Sequence, residues 1–328
     1  MMTLRAGLLG VGMMGRHHAR VLREVDGIEL VAIADPGGDP HSVAKGLPVL
    51  PDVDALIEAG IDIAVVAVPT RFHEEAALKL AEAGVHTLVE KPIADSVEQG
   101  QRMVEAFESR GLVGAVGHVE RFNPALQQMR RRIEAGDLGA IYQIATRRQG
   151  PFPSRIADVG VGKDLASHDI DLTAWVVQSD FTTVFGQTAF KSGREYEDMI
   201  AITGRLANGV ITSHLVNWLS PMKERLTVVT GEKGAFIADT STGDLTFYAN
   251  GTIDLEWESM AQFRGVSEGD VTRFAFAKRE PLRVEHEAFR DAVLGKESDV
   301  VTMTQGLRTL RVVEAALESA RTNSVFTL

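Results

Sequence analysis

The chain has 328 residues, 45% hydrophobic and 24% charged, with a formal net charge of −11 and no cysteine. That length accommodates two domains with sizeable cores, and the composition excludes a disordered polar chain. The acidic balance argues against nucleic acid as a partner. The missing thiols exclude disulfides, thiolate metal sites and cysteine nucleophiles, so the cytoplasm is the expected compartment.

Taken in chain order, the apolar run Leu4–Val11 is short and leads into a polar helix, so it reads as a strand rather than a leader or a membrane span. No other stretch is long and apolar enough to cross a bilayer. "LRAGLLG", "IELVAIA", "DIAVVAV", "HTLVE" and "LVGAV" are short, branched apolar runs, with helical patterns such as "RFHEEAALKLAEAG" between them. Strand and helix in alternation predict a parallel sheet with helices on both faces. Ser96 and Gln99 have the spacing of a capping box.

From about residue 141 the pattern changes. "DMIAITGRL", "GVITSHLVNW", "ERLTVVTG", "AFIAD", "DLTFYA" and "TIDLEW" are extended runs, separated by Asn208-Gly209, the segment Gly231 to Gly234, Thr242-Gly243 and Asn250-Gly251. Asn-Gly between extended runs signals a type I′ hairpin turn, so this half is expected to be an antiparallel meander. Its exposed face, rich in Phe, Val and Trp, suggests self-association as a homodimer or homotetramer. Two helices, about 283–294 and 303–321, close the chain, the second striped by Leu307, Leu310, Val313 and Leu317. The division expected is 1–120 for a dinucleotide-binding domain and 121–328 for a substrate and oligomerisation domain, whose final helices can pack back on the first.

Gly10-Val11-Gly12-Met13-Met14-Gly15 follows the first strand and opens a helix. In that context Gly10 allows a tight turn, Gly12 lets backbone N–H groups approach a pyrophosphate, and Gly15 lets helix and strand pack closely, with Met13 and Met14 completing the loop. The second strand ends at Asp35, twenty residues after Gly15. A carboxylate there accepts hydrogen bonds from the ribose hydroxyls and repels a 2′-phosphate, favouring NAD over NADP. Asp39 is an alternative ribose partner.

Lys91 follows the strand "HTLVE" on the rim where ligands of open α/β sheets sit. An ammonium there can stabilise the alkoxide that forms as hydride leaves carbon; pairing with Glu90 at the surface is the competing reading. In "KDLASHDIDLTAW", about 100° per residue places Asp164, His168 and Asp171 within a roughly 60° arc of a helix that also carries Trp175. A carboxylate one turn from an imidazole can fix its tautomer and raise its basicity; a helix cap at Asp164 with an interior His168 is the alternative. The segment "ATRRQGPFPSRIADVGVGKD" is locally basic, and Arg147, Arg148, Arg155 and Lys163 could neutralise a diphosphate or simply be solvated. Hydride transfer to nicotinamide calls for no metal ligands.

The glycine loop, "VPTRFHEEAALKLAEAGVHTLVEKP", "GHVERFNPA" and "DLASHDIDL" together resemble the glucose-fructose oxidoreductase, inositol dehydrogenase and rhizopine-catabolism (Gfo/Idh/MocA) family over nearly the whole chain. The resemblance implies an α/β Rossmann domain followed by an α+β domain with a large open-faced, mainly antiparallel sheet that covers the active site and often forms the oligomer interface. It implies a cofactor set of Gly10, Gly12, Met13, Met14, Gly15, Asp35, Pro69, Thr70, His73, Glu90, Lys91, His118, Arg121 and Asn123, and a tendency of Pro92 to be cis. It also implies Lys91, Asp164 and His168 around the reacting hydroxyl, with Asp171 behind them. "GHVERFNPA" and "GPFPSRIADVGVGKDLASHDIDL" look most like the branch acting on nucleotide sugars, in particular UDP-N-acetylglucosamine 3-dehydrogenases. Arg147 and Arg155 would then join Lys91, Asp164 and His168 in binding substrate. Oxidation of a free sugar or a polyol such as inositol is the second reading, and a non-catalytic cofactor-binding regulator the third.

Overall fold

A computed structural model describes residues 3–153, 159–251 and 267–328. The chain divides into two compact units, Met1–Val119 with Glu280–Arg311, and Glu120–Arg279 with Val312–Leu328. Each has its own apolar core.

The first unit is a doubly wound sheet. Strands β1 (Leu4–Leu9), β2 (Ile28–Ala34), β3 (Val49–Leu50), β4 (Ile63–Val66), β5 (His86–Glu90) and β6 (Gly114–Gly117) lie in the order β3-β2-β1-β4-β5-β6, all parallel. Helices α1 (Met13–Glu24), α2 (Val53–Glu58), α3 (His73–Glu82) and α4 (Val97–Glu108) make the crossovers. The strands read as continuous apolar runs because both faces are covered: Leu8, Ile33, Ile63, Val65 and Leu88 are fully buried. The predicted capping box is present, with Ser96 accepting from the Gln99 N–H and the Gln99 side chain accepting from the Ser96 N–H. Strand order reverses between β1 and β4, which places the ligand crevice of such a sheet at their carboxyl ends. The helix Pro281–Val293 contributes Leu282 and Phe289 to this unit's core.

In the second unit, helices α5 (Pro124–Glu134) and α6 (Ser167–Val177) accompany strands β7 (Ile141–Pro151), β8 (Phe181–Ala189), β9 (Met199–Leu206), β10 (Ile211–Asn217), β11 (Leu219–Gly231), β12 (Gly234–Asp239), β13 (Asp244–Gly251), β14 (Ser267–Arg273) and β15 (Phe326–Thr327). Their order is β14-β13-β12-β11-β7-β10-β9-β8-β15. The sheet is mainly antiparallel, but it is not the expected meander: β7 lies between β11 and β10 and runs parallel to β10. β7 is built from the stretch that reads in sequence as a basic connector.

The turns differ in kind from the sequence expectation. Gly209 has φ +88° while Asn208 keeps a negative φ, so the loop closed by the Leu206–Val210 pair is not type I′. Asn250 and Gly251 lie within β13 rather than in a turn. The loop between Gly231 and Gly234 does join β11 to β12 as a two-residue hairpin. The run "TIDLEW" lies outside the described residues. One face of the sheet carries the core residues Ile144, Ile202, Val216, Val229 and Phe236. On the other, a register row through Ile211, Gln143, Thr230, Ala235, Tyr248 and Val271 exposes Ile211, Tyr248 and Val271. Trp218, in one of the extended runs expected to expose a face rich in Phe, Val and Trp, is buried. Among the described residues no helix is long and apolar enough to cross a membrane.

Candidate functional site

In the first unit the candidate residues converge on the carboxyl rim of the parallel sheet. Gly10 has φ +93°, and a Cβ there would lie 2.6 Å from the Ala67 carbonyl oxygen. A Cβ at Gly15 would overlap the Gly10 carbonyl oxygen, so only glycine lets α1 start this close to β1. At Gly12 a Cβ would meet nothing within 4 Å. Gly12 is also the N-cap of α1, which has no side-chain cap and no acidic residue in its first turn. A turn without a side-chain cap, beside open space at Gly12, fits a pyrophosphate.

Asp35 anchors this loop: its Oδ2 accepts from the Val11 N–H at 2.9 Å and its Oδ1 from the Gly37 N–H at 2.8 Å. Each oxygen keeps a lone pair for a ribose hydroxyl, and the charge disfavours a 2′-phosphate. Asp39 instead organises its own turn, accepting from the Val43 and Ala44 N–H groups at 2.7 Å, bonds that hold its carboxyl below the usual carboxylate range.

Around Lys91 the support is buried. The Lys91–Pro92 peptide is cis. The Glu90 carboxylate accepts from the Lys91 N–H at 3.1 Å through Oε2, while Oε1 lies 2.8 Å from His18 Nε2. His18 Nδ1 in turn lies 2.8 Å from Nε2 of His286, a second fully buried imidazole. Burial works against the Glu90 charge, but the hydrogen bond with His18 and the nearby Lys91 hold its pKa below the ordinary value. Burial holds His286 well below the ordinary imidazole value.

His73 is buried with Nδ1 3.0 Å from the Pro92 carbonyl oxygen and Nε2 3.0 Å from that of Val68. It spans the turn carrying Pro69 and Thr70 and the chain just past Lys91, and burial lowers its pKa against the pull of the two carbonyls, of which a neutral ring donates to one only. His118 is buried directly after β6.

In the second unit, Asp164 and His168 occupy the start of α6, but not on a continuous α-helix. Residues 162–166 form a π-helical turn, with the Ser167 N–H donating to the Gly162 carbonyl. The 100° step therefore does not apply between Asp164 and His168, whereas His168 and Asp171 keep α spacing within α6. Asp164 is buried and His168 half-buried.

Asp171 makes a bidentate pair with Arg121, Oδ1 to Nη2 and Oδ2 to Nε, both at 2.7 Å and both residues buried. Asn123 caps α5, accepting from the Ala125 N–H and donating to the Thr240 carbonyl. Arg148 is buried rather than presented to a diphosphate: its Nε donates to Asp169 and its Nη1 to Glu120, each at 2.9 Å. Burial opposes the Arg148 charge, yet the two carboxylates raise its pKa above the ordinary value. Glu120 lies below its ordinary value, burial being outweighed by Arg148. Arg147, the next residue along β7, is exposed and pairs with Glu224. Lys163 pairs with Glu314 at 3.3 Å. Arg155 lies outside the described residues.

Two family models match the chain: "Oxidoreductase family, NAD-binding Rossmann fold" over residues 4–118, and "GFO/IDH/MocA C-terminal domain" over residues 126–237. The chain belongs to the Gfo/Idh/MocA family. It is an NAD-dependent oxidoreductase of that family. It is 28% identical to a UDP-N-acetylglucosamine 3-dehydrogenase of Acidithiobacillus ferrooxidans over 321 residues, 97% of this chain and 96% of that one. A solved structure of that enzyme superposes with a TM-score of 0.84 at 25% identity, covering 98% of this chain and 99% of the other. A scyllo-inositol 2-dehydrogenase (NAD(+)) of Bacillus subtilis is 32% identical over 193 residues, 56% of each chain.

Within this member of the family, sequence reasoning passed over Asp169, Glu120, Arg225 and Glu197. Arg225 is half-buried on β11 with Nη1 donating to the Gln149 and Glu224 carbonyls; burial lowers its pKa, with Asp169, Glu120 and Asp164 pulling the other way. Glu120, Arg225 and Glu197 are distant in sequence from the helix that carries Asp169, and no local spacing marks them.

Proposed function

We propose that this protein oxidises a secondary hydroxyl of a sugar, C3 of a UDP-N-acetyl-hexosamine, to the 3-keto sugar. NAD, when bound, supplies the hydride acceptor. The chain's own residues do the rest: Lys91 donates a hydrogen bond to the reacting oxygen and stabilises its developing negative charge, and His168 takes the hydroxyl proton. Asp164 holds the His168 ring or meets a second hydroxyl. The alcohol C–H leaves as hydride, its O–H proton goes to the imidazole, and a ketone remains.

The observation that carries this reading is Lys91 at the exit of β5, its backbone N–H held by a buried carboxylate and the following peptide clamped by His73. A sensor that only binds cofactor has no use for an ammonium on so firmly held a backbone position. Arg147 and Arg155 are the cations proposed for the diphosphate, Arg147 exchanging its Glu224 partner for phosphate oxygens. The exposed sheet face with Ile211, Tyr248 and Val271 is proposed as a contact between copies of the chain.

One observation favours the second reading, a free sugar or polyol. Arg148, a buried cation of the basic segment, is already paired with Glu120 and Asp169. Incubation with NAD and a panel of UDP-sugars, free hexoses and inositols separates the two: NADH formed with a UDP-N-acetyl-hexosamine is expected. Turnover of inositol or glucose with none of the UDP-sugars would overturn the substrate assignment.

A further inference from the structure

We propose that Glu197, from the segment leading into β9, is a positioning residue that holds the π-turn carrying Asp164 and so sets where Asp164 stands relative to His168. This rests on the reading of Asp164 and His168 as catalytic partners.

The turn has no side-chain cap of its own, since its N-cap is Val161 and that of α6 is Ala166. Glu197 supplies the anchor from 35 residues away: the Gly162 N–H donates to its Oε1 at 2.9 Å, and the Val161 N–H donates to its backbone carbonyl at 3.1 Å. The fit is close enough to dictate glycine. A Cβ at Gly160 would overlap both carboxylate oxygens of Glu197, and one at Gly162 would lie 3.0 Å from Oε1 and 3.2 Å from Leu317 Cδ2. Glu197 is only 8% exposed, so its carboxylate is committed to this contact in a poorly hydrated place, where losing either partner leaves an orphaned polar group.

The segment that delivers Glu197 is itself fixed. Asp198 accepts from the Lys191 and Ser192 N–H groups at 2.7 and 2.8 Å and from the Ser192 hydroxyl at 2.7 Å, and its carbonyl accepts from the Trp218 N–H at 2.9 Å. Arg194 donates to the Val159 carbonyl at 2.9 Å while its guanidinium stands over the rings of Phe152 and Trp218 at 4.5 and 5.1 Å. A hydrogen-bonded loop thus presents a carboxylate to the π-turn. Single π-turns inside α-helices are rare and occur frequently at functional sites. Without Glu197, relaxation to α spacing would reset the four-residue step from Asp164 to His168 to about 40° around the helix axis and so change the angle between the two side chains.

The test compares Glu197→Ala, Glu197→Gln and Gly160→Ala in the full chain. It reads kcat and KM with the substrate found in the panel, NADH affinity by fluorescence titration, and amide hydrogen exchange over residues 160–168. Glu197→Ala is expected to lower kcat by about 100-fold, the scale of an ångström-sized misplacement, with NADH affinity unchanged and faster exchange in that segment. Gly160→Ala, which keeps Glu197 but displaces its carboxylate, should do the same. Glu197→Gln, whose amide oxygen still accepts from Gly162, should recover most of the rate and the slow exchange. Wild-type kcat in Glu197→Ala, equal loss in the Ala and Gln variants, or exchange unchanged by Glu197→Ala would overturn the proposal. Should the wild-type protein oxidise no sugar or polyol at all, the proposed function fails, and the exchange comparison still decides whether Glu197 holds the turn.

Discussion

The cofactor loop of the first unit and the charged helix start of the second solve positioning in opposite ways. Around Gly10, Gly12 and Asp35 the work is done by backbone: an uncapped turn lies beside open space, N–H groups donate to a carboxylate, and the side chains needed are mostly absent ones. Around Asp164 and His168 it is done by side chains drawn from afar, Arg121 to Asp171, Arg148 to Asp169 and Glu120, and Glu197 to Gly162. A backbone cradle tolerates little substitution but is short in sequence. A charge network tolerates compensated change but fails when one partner is removed.

The largest effect should come from breaking the network. Arg148→Met leaves half-buried Glu120 and buried Asp169 facing each other's charge, and is expected to cost about 3–5 kcal/mol of stability by urea denaturation. Adding Glu120→Gln and Asp169→Asn should return most of it. A loss no greater than that of an exposed arginine such as Arg147 would contradict the network's importance.

Lys91→Met should come next, lowering kcat by about 100- to 1,000-fold, the loss typical of one donor to a developing oxyanion, with NADH affinity nearly intact. Equal loss of both would make Lys91 a structural lysine.

The cradle is sharpened by two glycines that differ only in what a methyl would meet. Gly15→Ala should destabilise the fold by about 1–3 kcal/mol, because its Cβ overlaps the Gly10 carbonyl. Gly12→Ala should melt like the parent yet bind NADH at least about tenfold more weakly, the methyl occupying phosphate space and unpairing backbone donors. Identical behaviour of the two variants would erase the distinction.

The smallest effect is a pH dependence. His214, buried on β10 with Nδ1 2.8 Å from the Thr146 hydroxyl, is pushed by burial down to about 3. It stays neutral in the folded chain while the unfolded chain takes up a proton below about pH 6.5. The unfolded state then binds more protons, so stability falls as pH falls through that window. His73 and His286 act with the same sign. Between pH 7 and 5, wild type should lose up to about 2 kcal/mol more than His214→Gln, the curves running parallel above pH 7.

The same contrast explains what could be read from sequence. Strand–glycine–helix spacing, the acid closing β2, the capping box at Ser96 and the lysine after β5 are all encoded within short windows, and the structure keeps them. β7 and β8 were missed because their cues are mixed: β7 alternates core-facing Ile144, Thr146 and Arg148 with exposed positions, so a buried arginine reads as a loop charge. In β8, Gly186 suggests a break, yet it sits in the strand because the Ala316 carbonyl leaves no room for a Cβ. The π-turn was illegible for a different reason. Its cause, Glu197, lies beyond any periodicity that begins at Asp164.

A crystal structure with NADH and the oxidised sugar tests the central claim most directly. The account predicts that the substrate's keto oxygen lies within hydrogen-bond distance of both Lys91 Nζ and a His168 ring nitrogen, beside the nicotinamide. Substrate bound with either side chain out of reach of that oxygen would contradict it.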